Sequence, residues 1–137
     1  MGYTNYWERT EKPITEDFVK AVKDIIKESE RLGISICSWD GSEDKPIITT
    51  DVIAFNGDKN FNLDHEAFLL NNVETGFAFC KTARKPYDWT VKEVLTTAEA
   101  YGLVTNVSDD GEVEHKSDKQ WLFDKYNSLS KRLFTPR

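Results

Sequence analysis

The middle of the chain carries four strand-like segments in succession, with no clear helical segment between them. They are residues 34–39 (ISICSW), 47–55 (IITTDVIAF), 66–71 (EAFLLN) and 76–82 (GFAFCKT), separated by turn signals such as Asp40-Gly41 and Asn56-Gly57. By periodicity alone the third segment is also compatible with a helix. A doubly wound parallel sheet requires strands and helices to alternate regularly. The run therefore favours an α+β domain with an antiparallel or mixed sheet and helices packed on one face.

Three helices are predicted around this run, near residues 15–32, 88–101 and 117–133. Thr15 is a suitable N-cap for the first helix, and Gly33 is a suitable terminator. Asp88 follows Pro86 and is the predicted N-cap of the second helix. The third has a capping box formed by Ser117 and Gln120.

Further strands are predicted at both ends of the chain. Residues 2–7 (GYTNYW) are aromatic and extended, and residues 103–107 and 112–115 flank a turn-like SDDG segment in a hairpin pattern. The predicted order is β-α-β-β-β-β-α-β-β-α. The apolar side chains at the matching periods give a predicted core of Phe18, Val22, Ile25, Ile36, Phe79, Val94, Leu95, Leu122 and Leu129.

Length and composition are those of one packed domain over residues 1–137. The 137 residues include 4 Trp, 5 Tyr and 8 Phe, too many aromatic side chains for a disordered chain. We find no apolar run long enough to span a bilayer and no signal-peptide pattern at the N-terminus. We therefore expect a soluble, cytoplasmic protein without membrane partners.

The net charge bears on the class of binding partner, and the setting of the cysteines bears on the redox state of the compartment. The net charge of −6 disfavours binding to duplex nucleic acid unless the cations are concentrated locally. Cys37 and Cys80 lie in apolar, strand-like runs, a setting that favours buried free thiols in a reducing compartment over a disulfide.

The cations are concentrated in the segment FCKTARKPYD at residues 79–88. Lys81, Arg84 and Lys85 lie within five positions, on the predicted connection from a strand to a helix. Unbonded N–H groups at a helix start, the positive end of the helix dipole and these side chains together favour a phosphate or carboxylate. The structural alternative is a solvated loop in which Asp88 only caps the helix and would itself repel an anion.

The aromatic N-terminal string supplies a second candidate surface. Alternation along a strand places Tyr3, Asn5 and Trp7 on one face. Rigid side chains with polar tips are suited to hold a planar ligand. The structural alternative is a strand that buries Tyr6 or Trp7 to fix the chain end in the sheet.

The opening MGYTNYW and the later FCKTARKPYD resemble a family of small proteins from bacteriophages and from phage-like regions of bacterial genomes. Its members begin with MGYT, then His or Asn, then YW, and no characterised activity is attached to the family. The resemblance implies a phage or prophage accessory protein that works in the host cytoplasm. Where many members have His, this chain has Asn5. An amide neither takes up a proton near neutral pH nor readily replaces imidazole on zinc, so no catalytic or metal role is predicted for this position.

The common catalytic and metal motifs are missing from the sequence. There is no CxxC, HxxxH or HxH spacing and no phosphate-binding glycine loop or nucleophile elbow. A cysteine in an apolar strand, such as Cys80, favours an inert thiol over a nucleophile. We therefore predict no metal, no cofactor and no catalytic residue.

The sequence predicts a binding module for a small anionic, nucleotide-like ligand or for a host protein. The alternative is an unrecognised hydrolase or phosphoesterase acting on an anionic substrate, which requires titratable groups to converge at a concave site. We expect the two motifs to lie side by side and form one ligand site. The predicted ligand-binding residues are Tyr3, Asn5, Trp7, Lys81, Thr82, Arg84 and Lys85.

Overall fold

A computed structural model describes residues 2–111 and shows an α+β architecture with two small antiparallel sheets. The elements, in chain order, are β1 (Thr4–Arg9), α1 (Glu16–Arg31), β2 (Ile47–Ile48), β3 (Val52–Phe55), a 3-10 turn (Lys59–Phe61), β4 (Phe68–Asn71), β5 (Gly76–Lys81), α2 (Asp88–Ala100) and β6 (Val104–Asp109). The predicted fold class is confirmed.

The N-terminal strand lies in the centre of the first sheet. The strand order is β5-β1-β6, and β1 is antiparallel to both neighbours. Thr4 is opposite Lys81 on one side, and Asn5 is opposite Asp109 on the other. The second sheet has the order β2-β3-β4.

Helix α1 follows its sequence signals. The Thr15 hydroxyl accepts a hydrogen bond from the Phe18 N–H at 3.2 Å, and Gly33 ends the helical segment with a φ of +84°. The helix buries a stripe of four side chains, Phe18, Val22, Ile26 and Ser29. The hydroxyls of Ser29 and Thr90 lie 2.6 Å apart and join α1 to α2.

Helix α2 is more deeply buried and begins differently from the prediction. The cap position is Tyr87, which gives no side-chain cap, and Asp88 is the first helical residue. Asp88 is not the predicted N-cap because its carboxylate turns inward and accepts hydrogen bonds from Asn5 and Thr82.

One apolar cluster lies between the two sheets and the two helices. Phe68 is near its centre, with its ring centroid 5.4 Å from that of Trp7 and 5.1 Å from that of Phe55. The predicted core residues Phe18, Val22, Ile36, Val94 and Leu95 are buried, Ile25 is partly buried, and Leu122 and Leu129 lie outside the described residues. Phe79 is wrong as a core residue, because it faces outward on β5 and is 46% exposed.

Two predicted strands differ in the structure. Residues 34–39 form a single bridge, between Cys37 and Asn56, because the chain turns at once and the Gly41 N–H bonds to the Ser38 carbonyl. Residues 47–55 form two strands instead of one. The chain reverses between them, where the Thr49 hydroxyl accepts hydrogen bonds from the N–H groups of Asp51 and Val52.

The predicted hairpin turn at residues 108–111 is also wrong. Strand β6 continues through Ser108 and Asp109, and both residues pair with β1. The predicted strand at 112–115 and the predicted helix at 117–133 lie outside the described residues. Neither α1 nor α2 has the length and hydropathy required to cross a membrane.

Candidate functional site

The two sequence motifs are adjacent in space because β1 and β5 are neighbouring strands. The Tyr3 carbonyl accepts hydrogen bonds from the Thr82 N–H at 2.9 Å and the Ala83 N–H at 3.2 Å. The start of β1 therefore lies against the loop that leads from β5 to α2. Strand pairing alone produces this arrangement, so adjacency carries no information about a ligand.

A buried carboxylate joins these two segments. One oxygen of Asp88 accepts hydrogen bonds from the Asn5 amide at 2.7 Å and from the Thr82 hydroxyl at 2.6 Å. All three side chains are buried, and Asp88 is only 4% exposed. Hydrogen bonds to a charged acceptor are about twice as strong as neutral ones, so the contact holds the strand, the loop and the helix together.

Lys92 supplies the positive charge that this buried site needs. Its Nζ lies 2.9 Å from Asp109 Oδ2, 2.7 Å from Asn5 Oδ1 and 3.7 Å from Asp88 Oδ2. One ammonium thus lies between two buried carboxylates. Sequence reasoning missed Lys92 and Asp109; the Asp88–Lys92 spacing of four residues on a helix was the available signal.

The Tyr3 ring lies close to two cations. The Arg84 guanidinium lies 4.3 Å from the ring centroid and the Lys92 ammonium lies 4.7 Å from it. Burial, followed by the negative charges of Asp109 and Asp88, raises the pKa of the Tyr3 phenol. The phenol therefore stays neutral at physiological pH and contributes through its ring.

The loop between β5 and α2 contains two consecutive residues in the left-handed region. Ala83 has a φ of +53° and Arg84 a φ of +57°. A side chain with a Cβ costs about 1–2 kcal/mol in this region, so the pair stores strain that the surrounding bonds must hold. The conformation places Arg84 over the Tyr3 ring.

Most of the predicted ligand-binding side chains already have protein partners. Trp7 packs in the core, Asn5 and Thr82 bind Asp88, and the Lys85 ammonium donates to the Asn62 carbonyl at 2.7 Å. The structure brings Asn5 and Thr82 together on Asp88 and places Arg84 over the Tyr3 ring, whereas Lys81 faces the other side of the sheet with Phe79. Of the seven predicted residues, only Lys81 and Arg84 are exposed side chains.

The buried groups near this cluster are poor nucleophiles. Burial raises the pKa of the Cys80 thiol, and the charges of Glu66 and Asp88 raise it further. Burial also raises the pKa of Tyr87, with Cys80 as the next largest cause. Both groups therefore remain protonated near neutral pH, and a thiol is a much weaker nucleophile than a thiolate.

The opposite face of the first sheet carries exposed aromatic side chains. Phe77 is 70% exposed and Phe79 is 46% exposed, and their ring centroids lie 6.1 Å apart. Tyr6, on β1, stacks on Phe77 with centroids 6.1 Å apart, and the Lys81 ammonium lies 5.8 Å from the Phe79 ring centroid. We call Tyr6, Phe77 and Phe79 the aromatic face. Alternation in GFAFCK was the sequence signal for it, since Ala78 and Cys80 must then face inward.

A separate cavity of about 350 Å³ lies beside the C-terminal end of α1. Its lining includes Cys37 and the carboxyl-bearing residues Glu30, Glu43 and Asp58, which disfavour an anionic ligand. Between residues 2 and 111, no three His, Cys, Asp or Glu side chains are placed to hold a metal ion.

Comparison of the chain with protein families, curated proteins and solved structures gave no match.

Proposed function

We propose that this protein is a binding module for another protein and that the aromatic face is its binding surface. The observation that carries the proposal is the exposure of Phe77 and Phe79 on a sheet whose other side covers a well-packed core. Contiguous aromatic surface that remains in water after folding is typical of interaction sites. Aromatic side chains are also enriched in the centre of protein interfaces.

The charges around the aromatic face support a polypeptide partner over a nucleic acid. Lys81 adds one positive charge at the rim, whereas Glu8 is exposed at the other end and Asp110 accepts a hydrogen bond from the Tyr6 hydroxyl. A single-stranded nucleic acid requires aromatic side chains within a positively charged groove. The mixed charges here are those of a protein interface rim.

The resemblance of the two motifs to phage proteins extends this proposal to the kind of partner. We propose that the chain is an accessory protein encoded by a phage or prophage genome and that its partner is a host protein of the cytoplasm. Its role is to occupy or redirect that partner, without chemistry of its own.

Site-specific photo-cross-linking tests the proposal directly. A photo-reactive phenylalanine analogue is placed at position 79 in bacterial cells, and cross-linked proteins are identified by mass spectrometry. The matched control carries the same analogue at Val73, which is 87% exposed but lies outside the strands of both sheets. We expect a defined adduct with a different protein at position 79 that is missing at position 73; an adduct between two copies of this chain does not count as support.

The purified partner then allows a quantitative test. Phe77→Ser combined with Phe79→Ser should weaken its binding at least about tenfold, since aromatic hot-spot residues dominate interface energies. Val73→Ser should leave the dissociation constant unchanged. Equal adducts at positions 73 and 79, or full affinity in the double variant, would contradict the proposal.

A small anionic ligand is the second candidate, and the loop conformation favours it. Two consecutive left-handed residues, Ala83 and Arg84, store strain just before Lys85, and stored strain often accompanies a functional site. A planar phosphate ester would place its phosphate near Arg84 and Lys85. The Asp88 carboxylate repels such a ligand less than the sequence suggests, because it accepts hydrogen bonds from Asn5 and Thr82 and is paired with Lys92.

Thermal shift with adenosine monophosphate and with inorganic phosphate tests this second candidate. We expect the melting temperature to rise with ligand concentration in the wild type but not in Arg84→Ala with Lys85→Ala, because a ligand stabilises only the form that binds it. Lys20→Ala with Lys23→Ala is the matched control, since it removes two exposed cations from α1. An equal shift in all three proteins, or in none, rules against this site.

The hydrolase alternative has less support. Titratable groups do converge at Asp88, Lys92 and Asp109, but they are hydrogen-bonded to one another or to Asn5, and both carboxylates are 4% exposed. A substrate would have to displace these contacts before it could reach an acid or a base.

A further inference from the structure

The outer edge of β5 has a backbone orientation that follows from its pairing with β1. Residue 82 bonds to Tyr3, and in antiparallel pairs the bonded positions alternate. Residues 76, 78 and 80 therefore direct their N–H and C=O groups toward β1. Phe77, Phe79 and Lys81 direct theirs away from it, toward the edge of the sheet.

Only the C-terminal end of this edge is covered within residues 2–111. The Lys81 carbonyl accepts a hydrogen bond from the Glu66 N–H at 3.0 Å, and the Lys81 N–H donates to the Glu66 carboxylate at 3.0 Å. In this part of the chain, the outward backbone groups of Phe77 and Phe79 belong to no strand pair, because β4 lies in the other sheet. An exposed edge strand with apolar side chains is a template for pairing with another chain.

We propose that β5 pairs with β5 of a second copy of this chain, antiparallel and centred on Ala78. The outward backbone N–H and C=O groups of Phe77 would then form hydrogen bonds with those of the partner's Phe79, and those of Phe79 with the partner's Phe77. This register joins two three-stranded sheets into one sheet of six strands around a two-fold axis. The inference uses the edge of β5, whereas the proposed function uses the outer face of the same sheet.

The sequence of β5 is complementary to itself in this register. Each Phe77 is directly opposite the partner's Phe79, and such cross-strand aromatic pairs stabilise antiparallel sheets. The pairing does not extend to Lys81, because its outward backbone groups are already bonded to Glu66. A two-fold axis requires this kind of self-complementary surface.

The available area predicts a weak dimer. If a Phe side chain presents about 200 Å², the exposed fractions of Phe77 and Phe79 leave roughly 230 Å² of aromatic surface per copy, or roughly 460 Å² for two copies. Stable interfaces bury at least about 1,200 Å² in total. Backbone pairing supplies part of the difference, and we expect association only at micromolar or higher concentration.

Disulfide trapping tests both the pairing and its register. In the proposed dimer Ala78 is directly opposite itself in a non-bonded pair, where the two Cα atoms lie about 4.5 Å apart. This distance suits a disulfide. We expect Ala78→Cys to give a covalent dimer on mild oxidation. Phe77→Cys should not, because its opposite residue is position 79. The native Cys37 and Cys80 are buried.

Thr105→Cys is the matched control, since it places an exposed thiol on β6, at the opposite edge of the same sheet. Cross-linking of Ala78→Cys no faster than Thr105→Cys would overturn the proposal. Fast cross-linking of Phe77→Cys would overturn the register.

The second measurement is analytical ultracentrifugation of proteins that carry no introduced cysteine. Phe79→Pro removes an outward N–H and leaves the bonds to β1 intact, whereas Phe79→Ser keeps that N–H. We expect the dimer dissociation constant to be at least about tenfold higher for Phe79→Pro than for Phe79→Ser. Wild-type protein that stays monomeric at high concentration would contradict the dimer. The photo-cross-link to another protein would be unaffected, so the two proposals fail separately.

Discussion

At the scale of single residues, the carboxylate of Asp88 holds together the start of β1, the loop after β5 and the first turn of α2. Its partners are Thr82 and Lys92, which are six and four residues away, and Asn5, which is 83 residues away. A buried ionic group with satisfied hydrogen bonds is tolerated, whereas a broken network leaves unpaired groups in a site closed to water.

We expect Asp88→Asn to lower the free energy of unfolding by about 2–4 kcal/mol, because the amide removes one negative charge beside Lys92 and cannot accept all the same bonds. Urea unfolding measures the change. Asp24→Asn, at an exposed position of α1, should stay within about 0.5 kcal/mol of the wild type. Equal stability of the two variants would show that the network contributes nothing.

Gly57 is fixed by close approach of the backbone. A Cβ at this position would lie 2.0 Å from the Leu63 carbonyl oxygen, and that oxygen cannot move aside cheaply. We expect Gly57→Ala to lower the free energy of unfolding by about 1–3 kcal/mol, as overpacking does. Gly2→Ala, which meets no atom within 4 Å, is the control for thermal unfolding. A Gly57→Ala melting temperature equal to that of Gly2→Ala would refute the expectation.

Single residues were predictable only where local chemistry decides their role. The Thr15 cap and the apolar stripe of α1 depend on neighbours within one or two turns, and the sequence alone predicts them. The environment of Asp88 depends on Asn5, a strand residue 83 positions away, so local rules assigned Asp88 to the helix cap. Phe79 was misplaced because an aromatic residue in a strand was taken to face the core.

At the scale of elements, the connection from β5 to α2 is strained by Ala83 and Arg84. Glycine adopts the left-handed region without steric cost. We expect Ala83→Gly to raise the free energy of unfolding by about 0.5–1 kcal/mol, because relief of strain exceeds the added chain entropy. Chemical denaturation measures it.

Ala21→Gly, inside α1, is the paired control and should have the opposite sign, with a loss of about 1 kcal/mol. Destabilisation by both glycine variants would mean that the loop is not strained. Ligand binding that weakens in Ala83→Gly would favour the small-ligand candidate, since relief of strain loosens the position of Arg84.

Helices and short strands were predicted with different success for a physical reason. A helix is specified by contacts within its own turns, and α1 and α2 lie close to their predicted bounds. A strand requires a partner, and residues 34–39 have strand-like composition but pair only through the Cys37–Asn56 bridge. Division of the strands into two sheets depends on long-range pairing, which no local pattern contains.

At the scale of the whole molecule, buried phenols and a buried thiol make stability sensitive to alkaline pH. Burial raises the pKa values of Tyr3, Tyr87 and Cys80 above the ordinary 10.0 for a phenol and 9.0 for a thiol. The stabilisation that these protonated groups give the folded state is therefore fully present at pH values below their ordinary pKa values. That stabilisation is lost as pH rises above them, because only the unfolded chain releases its protons there.

We expect the free energy of unfolding to fall steadily from pH 9.0 upward, as measured by urea titrations at constant ionic strength. Tyr87→Phe should be less stable at neutral pH, since it loses the hydrogen bond to the Glu66 carbonyl, but its alkaline decline should be shallower. A decline as steep as that of the wild type would exclude Tyr87 as a source of the effect.

The central position of β1 has a consequence for synthesis on the ribosome. This strand is made before both of its neighbours, which begin at Gly76 and Val104. At about 5–20 residues per second, the interval between translation of Arg9 and of Asp109 is about 5–20 s. For about the first 4–14 s of that interval, until Lys81 is translated, the aromatic strand has neither native neighbour, so translation speed and chaperone availability should affect the yield of folded protein.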